Sequence, residues 1–378
     1  MRPAVAVFAL LLAAPGVSLG APLMHPVPGE AFFGDVTAVA PARAVTATFS
    51  SRGVAGTPVP SSPTTMGTVT GRPGLRGVTV VFRDAEGAMV GRRSTFGAFL
   101  LPASGSQAVA GARRSVPLER ALSRIAQRHG GVTALWAQRL WDGRAAGWNA
   151  NAEFPAASTV KLPLGVGAIM RMGPTPWSHS SWPDLSAALR LSDNGAANRL
   201  VQRLGSGCGT SADAAAADGL RRLGARQSTF TDCFMGDELQ PHLPAGSVAE
   251  APQWSNRHTT ARDLGRMLYS LQAAAVPTAS ARRQTGIPAT KARLILGLLL
   301  TASQNGPNAT LFAGGLPAGT PIAEKNGWRR NEQHGAAIAY TRRGPVILVV
   351  LTQRPEGANL ADARQIGAEV ARAALRAR

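Results

Sequence analysis

The order of apolar periodicities predicts an α+β protein. An antiparallel five-stranded sheet is flanked by helices and carries an all-α lobe, and a small β-rich module precedes it. Three observations carry this. Strand-like runs cluster at two places far apart in the chain, residues 132–148 and 322–352. Between them, apolar residues recur at helical spacing. Amphipathic segments at 116–129 and 359–375 bracket both strand clusters.

Taken in order, residues 1–21 begin Met-Arg, continue with an apolar run over 4–14 and end in small residues, which reads as a signal peptide. The run is too short for a mature membrane anchor, and no cysteine follows it for lipid attachment. Residues 22–114 are expected to hold a small β-module with linkers. Residues 78–82 and 98–101 read as strands, with Asp84-Ala-Glu-Gly87 as a turn between them. The Gly/Pro/Ser/Thr-rich stretch 50–74 reads as loop or linker, and 102–114 as a second linker. The main domain is expected over 115–378. It opens with a helix over 116–129, whose Leu118, Leu122 and Ile125 share a face. A hairpin over 132–148 follows, turning at Trp141-Asp-Gly-Arg144. Helices are expected over 158–172, 184–204, 213–223 and 260–271. An exposed Ala/Pro/Thr/Arg-rich insertion is expected over 274–289 and a further helix over 293–301. Strands over 322–325, 336–341 and 346–352 and a terminal helix over 359–375 complete the domain.

The formal charge is +19, but the arginines are spread along the chain without aromatic-interleaved patches, so no nucleic-acid partner is expected. After residue 21 no segment has about 18 uninterrupted apolar residues, so no transmembrane segment is expected. The two cysteines, Cys208 and Cys233, read as a disulfide in an exported protein rather than a metal site. The six histidines are scattered, and neither a metal nor a cofactor is expected. A secreted or periplasmic monomer is the expectation.

Three short motifs point to chemistry. Ser158 and Lys161 form S-x-x-K at the start of a predicted helix, where positions i and i+3 share a face. A desolvated lysine there can take the serine proton. Ser192-Asp193-Asn194 follows an apolar helical run, and Lys325-Asn326-Gly327 follows a strand-like one. Of 40 lysines and arginines only three are lysine: Lys161, Lys291 and Lys325. Where a plain cation suffices, the chain uses arginine, which cannot give up its proton. Two of the three lysines sit in the two motifs that need one.

S-x-x-K, S-D-N and K-[TS]-G in this order resemble the class A β-lactamases and penicillin-binding proteins. The resemblance covers residues 115–378 and includes Ser192-Asp-Asn-Gly-Ala-Ala-Asn198, Gly314-Gly-Leu-Pro-Ala-Gly319 and the last strand. It implies a β-lactamase/transpeptidase-like fold and a serine hydrolase acylated at Ser158. Lys161 would be a proton acceptor or the electrostatic partner of the serine, Ser192 a proton relay to the leaving nitrogen, and Lys325 the anchor of the substrate carboxylate. Asn194 would bind the substrate amide. The backbone N–H groups of Ser158 and Trp328 would form the oxyanion hole. Gly327 belongs to the substrate-binding motif, and Asn198 is a structural residue. Asn326 stands where the family has a hydroxyl, so its amide would have to replace that donor. The spacing from Ser158 to Ser192 is short for the family and implies a wider cleft. The family's deacylating glutamate lies in an E-x-x-L-N loop. The best match, Phe234-Met-Gly-Asp-Glu-Leu-Gln240, puts Gly236 at that position, with Asp237 and Glu238 as the neighbouring catalytic candidates.

The leading expectation is hydrolysis of a β-lactam with slow deacylation. The alternatives are a D,D-peptidase or other cell-wall amidase acting on peptidoglycan peptides, and a covalent penicillin-binding sensor that does not turn over.

Overall fold

The computed structural model describes residues 17–19, 34–51, 54–55, 58–61, 64–69, 74–100, 109–174, 176, 179–208, 213–231, 233–234, 257–276, 285–302, 309–354 and 356–377. It divides into two compact units, Met1–Ala103 and Ser104–Arg378.

Among the described residues, the regular structure of the first unit is all β. Strands β1 (Val17–Leu19), β2 (Gly34–Val39) and β6 (Thr64–Val69) form one sheet. Strands β3 (Thr46–Ser51), β4 (Val54–Ala55), β7 (Gly74–Arg83) and β8 (Met89–Leu100) form another, with β5 (Val59–Pro60) paired to β3. The β7–β8 hairpin turns at the expected place, where the Asp84 side chain accepts from Ala88 N at 2.8 Å and Gly87 adopts φ 81°. Ala47 lies opposite Phe82 and Phe49 opposite Val80, and all four side chains are buried. These cross-strand pairs are the unit of sheet stabilisation. The stretch 50–74, expected as loop, holds β4, β5 and β6. Thr64-Thr-Met-Gly-Thr-Val69 is rich in β-branched residues, and that preference outweighs the surrounding Gly and Pro.

The second unit is built on a main sheet of six strands, in the spatial order β14 (Ile322–Trp328), β15 (Glu332–Thr341), β16 (Gly344–Gln353), β10 (Val132–Arg139), β11 (Arg144–Trp148), β9 (Arg113–Arg114). The first five are antiparallel. The two-residue β9 pairs parallel to β11 at one edge. Helices α1 (Val116–Arg128) and α8 (Leu360–Arg376) cover one face. Leu118, Leu122 and Ile125 of α1 and Ile366 and Val370 of α8 pack there on Leu135, Leu348 and Val350. Each such side chain contributes about 1.5–3 kcal/mol by leaving water.

The helical lobe holds α2 (Lys161–Arg171), α3 (Trp182–Arg190), α4 (Asn194–Leu204), α5 (Ala214–Leu223), α6 (Ala261–Ala275) and α7 (Ala289–Leu300). Helix α2 is buried all round from Lys161 to Ile169. Its Gly167 lets α5 approach so closely that a Cβ would meet Ala215 O at 1.7 Å. Two expectations are corrected here. The single helix over 184–204 is two helices, because Ser192 takes φ 59° and breaks the run between α3 and α4. The insertion expected to be exposed over 274–289 is partly buried at its described ends: Ala274, Ala275, Val276, Ile287 and Ala289 are inside, where α6 and α7 pack together, while Gly286 and Pro288 are exposed and 277–284 lie outside the described residues. Among the described residues, no helix is long and apolar enough to cross a membrane.

Candidate active site

The nucleophile candidate is placed by a short strand. β12 (Phe154–Pro155) pairs with β13 (His258–Thr259), and a 3₁₀ turn over Ala157–Val160 then feeds into α2. Thr159 closes that turn by donating N–H and Oγ1–H to Ala156 O at 3.1 and 2.6 Å. Ala157, next to Ser158, has φ 47°, a left-handed conformation that a non-glycine residue keeps only where its surroundings impose it. Ser192 at φ 59° is a second such position, and both flank the same group of side chains.

The sequence-predicted residues converge. Lys161 is fully buried. Its Nζ lies 2.9 Å from Ser158 Oγ, 2.6 Å from Ser192 O and 2.5 Å from Asn194 Oδ1. Two of these partners can only accept, and the third is a hydroxyl that can do either. A protonated Lys161 donates to all three. A neutral one donates to the two carbonyl oxygens and accepts from Ser158. The amine can therefore change protonation state without breaking the arrangement. Burial pushes Lys161 down to about 6, helped by the neighbouring cations Lys325 and Arg257 and opposed by Asp193. The lysine sits in the range a general base needs at neutral pH.

Lys325 enters from the edge strand β14. Its Nζ donates to Ser192 Oγ at 2.9 Å and to Asn326 O at 2.8 Å. Ser192 thus bridges the two lysines, with its carbonyl on Lys161 and its hydroxyl on Lys325. The left-handed backbone at Ser192 accompanies this split. Burial lowers Lys325 to about 7, while the adjacent Glu324 works in the opposite direction. The next strand positions are close to the nucleophile. A Cβ on Gly327 would stand 3.0 Å from the backbone nitrogens of Ser158 and Thr159, so only glycine lets β14 approach the serine turn. Trp328 follows with its side chain 47% exposed at the strand end.

Asn194 caps nothing itself; the α4 N-cap is Asp193, whose side chain accepts from Ala196 N at 2.6 Å. The Asn194 Oδ1 is held by Lys161, and the residue is otherwise exposed. Asn326 is buried, and its Nδ2 donates to Ala309 O at 3.2 Å. Asn198 grips the backbone of Phe234 twice: its Nδ2 donates to Phe234 O at 3.0 Å and its Oδ1 accepts from Phe234 N at 2.7 Å. Cys208 and Cys233 form a disulfide with 5.0 Å between Cα atoms. Gly236, Asp237 and Glu238 lie outside the described residues.

The structure adds three residues that sequence reasoning missed. His334, buried on β15 opposite Gly327, donates from Nε2 to Pro155 O at 2.9 Å and accepts Thr352 N–H on Nδ1 at 3.3 Å. Burial drives it down to about 4, so it is neutral and ties the strand before Ser158 to the sheet. The Phe234 ring lies over Lys161, with its centroid 4.4 Å from Nζ. Arg257 stacks on the same ring at 5.2 Å and donates to Cys233 O at 2.8 Å. For His334 the available signal is weak: it follows Glu332 and Gln333 at the polar start of a strand that then turns apolar. For Phe234 and Arg257 no local pattern exists.

The profile of the beta-lactamase enzyme family matches residues 117–173 and 175–377. No curated protein sequence matches the chain. Solved structures with the same fold include a class A beta-lactamase from Mycobacterium abscessus, at 21% identity and TM-score 0.52, covering 69% of this chain and 98% of that one. A beta-lactamase from Desulfarculus baarsii DSM 2075 gives 22% identity and TM-score 0.51, covering 69% and 98%. PBP-A gives 17% identity and TM-score 0.51, covering 69% and 97%. A mutant of PBP-A, at 18% identity and TM-score 0.51, is an acyl-enzyme complex with penicillin G. With a motif set, a fold and a family profile that agree over residues 117–377, the chain belongs to the beta-lactamase enzyme family.

Proposed function

We propose that the protein is an exported serine hydrolase in which a β-lactam acylates Ser158 and deacylation is slow. The observation that carries this is the position of Lys161 Nζ, 2.9 Å from Ser158 Oγ and buried so that its amine is neutral near pH 7. In this reading the Ser158 hydroxyl gives its proton to Lys161 as Oγ bonds to the lactam carbonyl carbon. The backbone N–H groups of Ser158 and Trp328 receive the oxyanion. The C–N bond then breaks, and the proton taken up by Lys161 reaches the departing nitrogen by relay through the Ser192 hydroxyl, which gives one proton and regains one, with Lys325 beside that hydroxyl. The substrate carboxylate falls to Lys325, because the Asn326 amide is already engaged inside. The Asn194 amide nitrogen binds the substrate's side-chain amide. The disulfide supports an oxidising compartment. A fold neighbour that forms an acyl-enzyme with penicillin G supports the chemistry as an analogy.

The test is intact-mass measurement after incubation with penicillin G. Wild type is expected to gain one covalent adduct and Ser158→Ala none. An adduct that persists on Ser158→Ala, or a wild type that is never modified, overturns the reading.

A further inference from the structure

We propose that Phe234 determines the fate of the acyl group: its ring fills the space beside Lys161 from which a base would present the hydrolytic water, so the Ser158 ester is long-lived. This rests on the reading that Ser158 is acylated.

Hydrolysis of the ester needs a water whose oxygen bonds to the acyl carbon while its proton passes to a base. The C–Oγ bond then breaks, and Ser158 Oγ recovers a proton. Water and base must both stand within hydrogen-bond reach of each other, next to Ser158 and Lys161. On this side of Lys161 the structure places an aromatic face, 4.4 Å from Nζ. A ring has no group that can take a proton, and it displaces water from the volume it fills.

The position of the ring is enforced rather than incidental. Asn198 holds both backbone polar groups of Phe234. The preceding residue, Cys233, is disulfide-bonded to Cys208, and its carbonyl is held by Arg257. Phe230 packs against the ring at 5.5 Å between centroids, and Arg257 stacks on it.

The surrounding charge makes the choice of side chain informative. Lys161 feels two cations, Lys325 and Arg257, and one carboxylate, Asp193. The Asp193 carboxylate already accepts the α4 N-cap bond. A carboxylate at position 234 would stand beside Arg257 and would pair with Lys161. That pairing would hold the lysine protonated and take away the base for acylation. The apolar ring does the reverse: it keeps Lys161 available for acylation and offers nothing to deacylation.

The experiment uses the full chain, acylated with penicillin G and then moved to ligand-free buffer, with intact mass giving the rates of adduct formation and of adduct decay. Wild type is expected to hold its adduct for hours. Phe234→Leu, still apolar, is expected to decay within about threefold of wild type. Phe234→Glu is expected to decay faster by about 10²-fold or more, the usual worth of a positioned base, and to acylate more slowly. Phe234→Ala, which only admits water, is expected to fall between the two. Gly236→Glu, two residues on, is expected to accelerate decay less than Phe234→Glu. Unchanged decay in a Phe234→Glu protein that still acylates overturns the proposal. If Phe234→Glu does not acylate, unchanged decay in Phe234→Ala overturns it instead. Rapid decay in wild type that is lost in Asp237→Ala or Glu238→Ala also overturns it. A wild type that never acylates removes the underlying reading, a result distinct from all of these.

Discussion

Lys161 meets two sets of neighbours. On one side stand Ser158, Ser192 and Lys325, linked by hydrogen bonds of 2.6–2.9 Å. On the other stands the Phe234 ring, against which Phe230 and Arg257 pack through ring contacts. The first side is polar and can move a proton in small steps. The second is apolar at the surface it turns to Lys161 and cannot. Acylation and deacylation of a serine enzyme draw on different groups, so a site can be complete for one step and bare for the other. Here the difference lies in which side chains face Lys161 from each direction, since both sides are rigidly held.

The largest expected effect on this contrast comes from the polar side. Lys161→Arg keeps the charge but removes the ability to lose a proton. Acylation by penicillin G is expected to fall by about 10²–10⁴-fold, close to the loss in Lys161→Ala. Stopped-flow or quenched mass measurement gives the rate. Near-normal acylation in the arginine variant would show that only charge matters, and the two sides would then differ less than the geometry indicates.

A smaller effect is expected from pH. Lys161 is lowered to about 6, so as pH falls through that value the amine gains a proton and acylation slows about tenfold per unit. Lys325 is lowered to about 7, so as pH rises through that value its charge, the partner for a substrate carboxylate, is lost. A narrow bell is expected, and because the two lysines interact its limbs belong to the pair rather than to either residue. A rate that stays flat from pH 5 to 8 contradicts the base assignment.

The polar side was largely legible in the sequence, because its chemistry is local. Ser158 and Lys161 are one helical turn apart, Ser192 and Asn194 are two residues apart, and the scarcity of lysine marks Lys161 and Lys325. The helices and strands that carry them follow from apolar periodicity. The apolar side was not legible, because it is assembled from residues distant in sequence. Phe234 meets Lys161 across 73 positions, and what holds it there is Asn198 together with a disulfide. A loop phenylalanine has no periodicity to read. The break at Ser192 escaped for a related reason. The residues on either side of it keep helical spacing, and the left-handed backbone goes with tertiary contacts to two lysines that no local pattern announces. In the first unit, the composition of 50–74 suggested loop, whereas strand pairing with β2 and β3 decides its structure.

The smallest expected effect on the site comes from its covalent tie. A bridge closing a loop of about 25 residues is worth roughly 3–4 kcal/mol on the chain-entropy argument. The double variant Cys208→Ala/Cys233→Ala is therefore expected to unfold at a clearly lower temperature. Its acylation rate is expected to stay within about threefold of wild type, because Lys161, Ser192 and Lys325 do not use the bridge. Adduct decay is the discriminating measurement. Asn198 still holds Phe234 by two hydrogen bonds and Arg257 still holds the carbonyl of residue 233. The ring is then expected to stay over Lys161, and decay to rise by only a few-fold. A rise of 10²-fold or more in the folded variant would mean that the bridge, rather than Asn198, places the ring. Asn198→Ala in the bridged protein would then have little effect on decay, where the hydrogen-bond geometry predicts that it has the larger one.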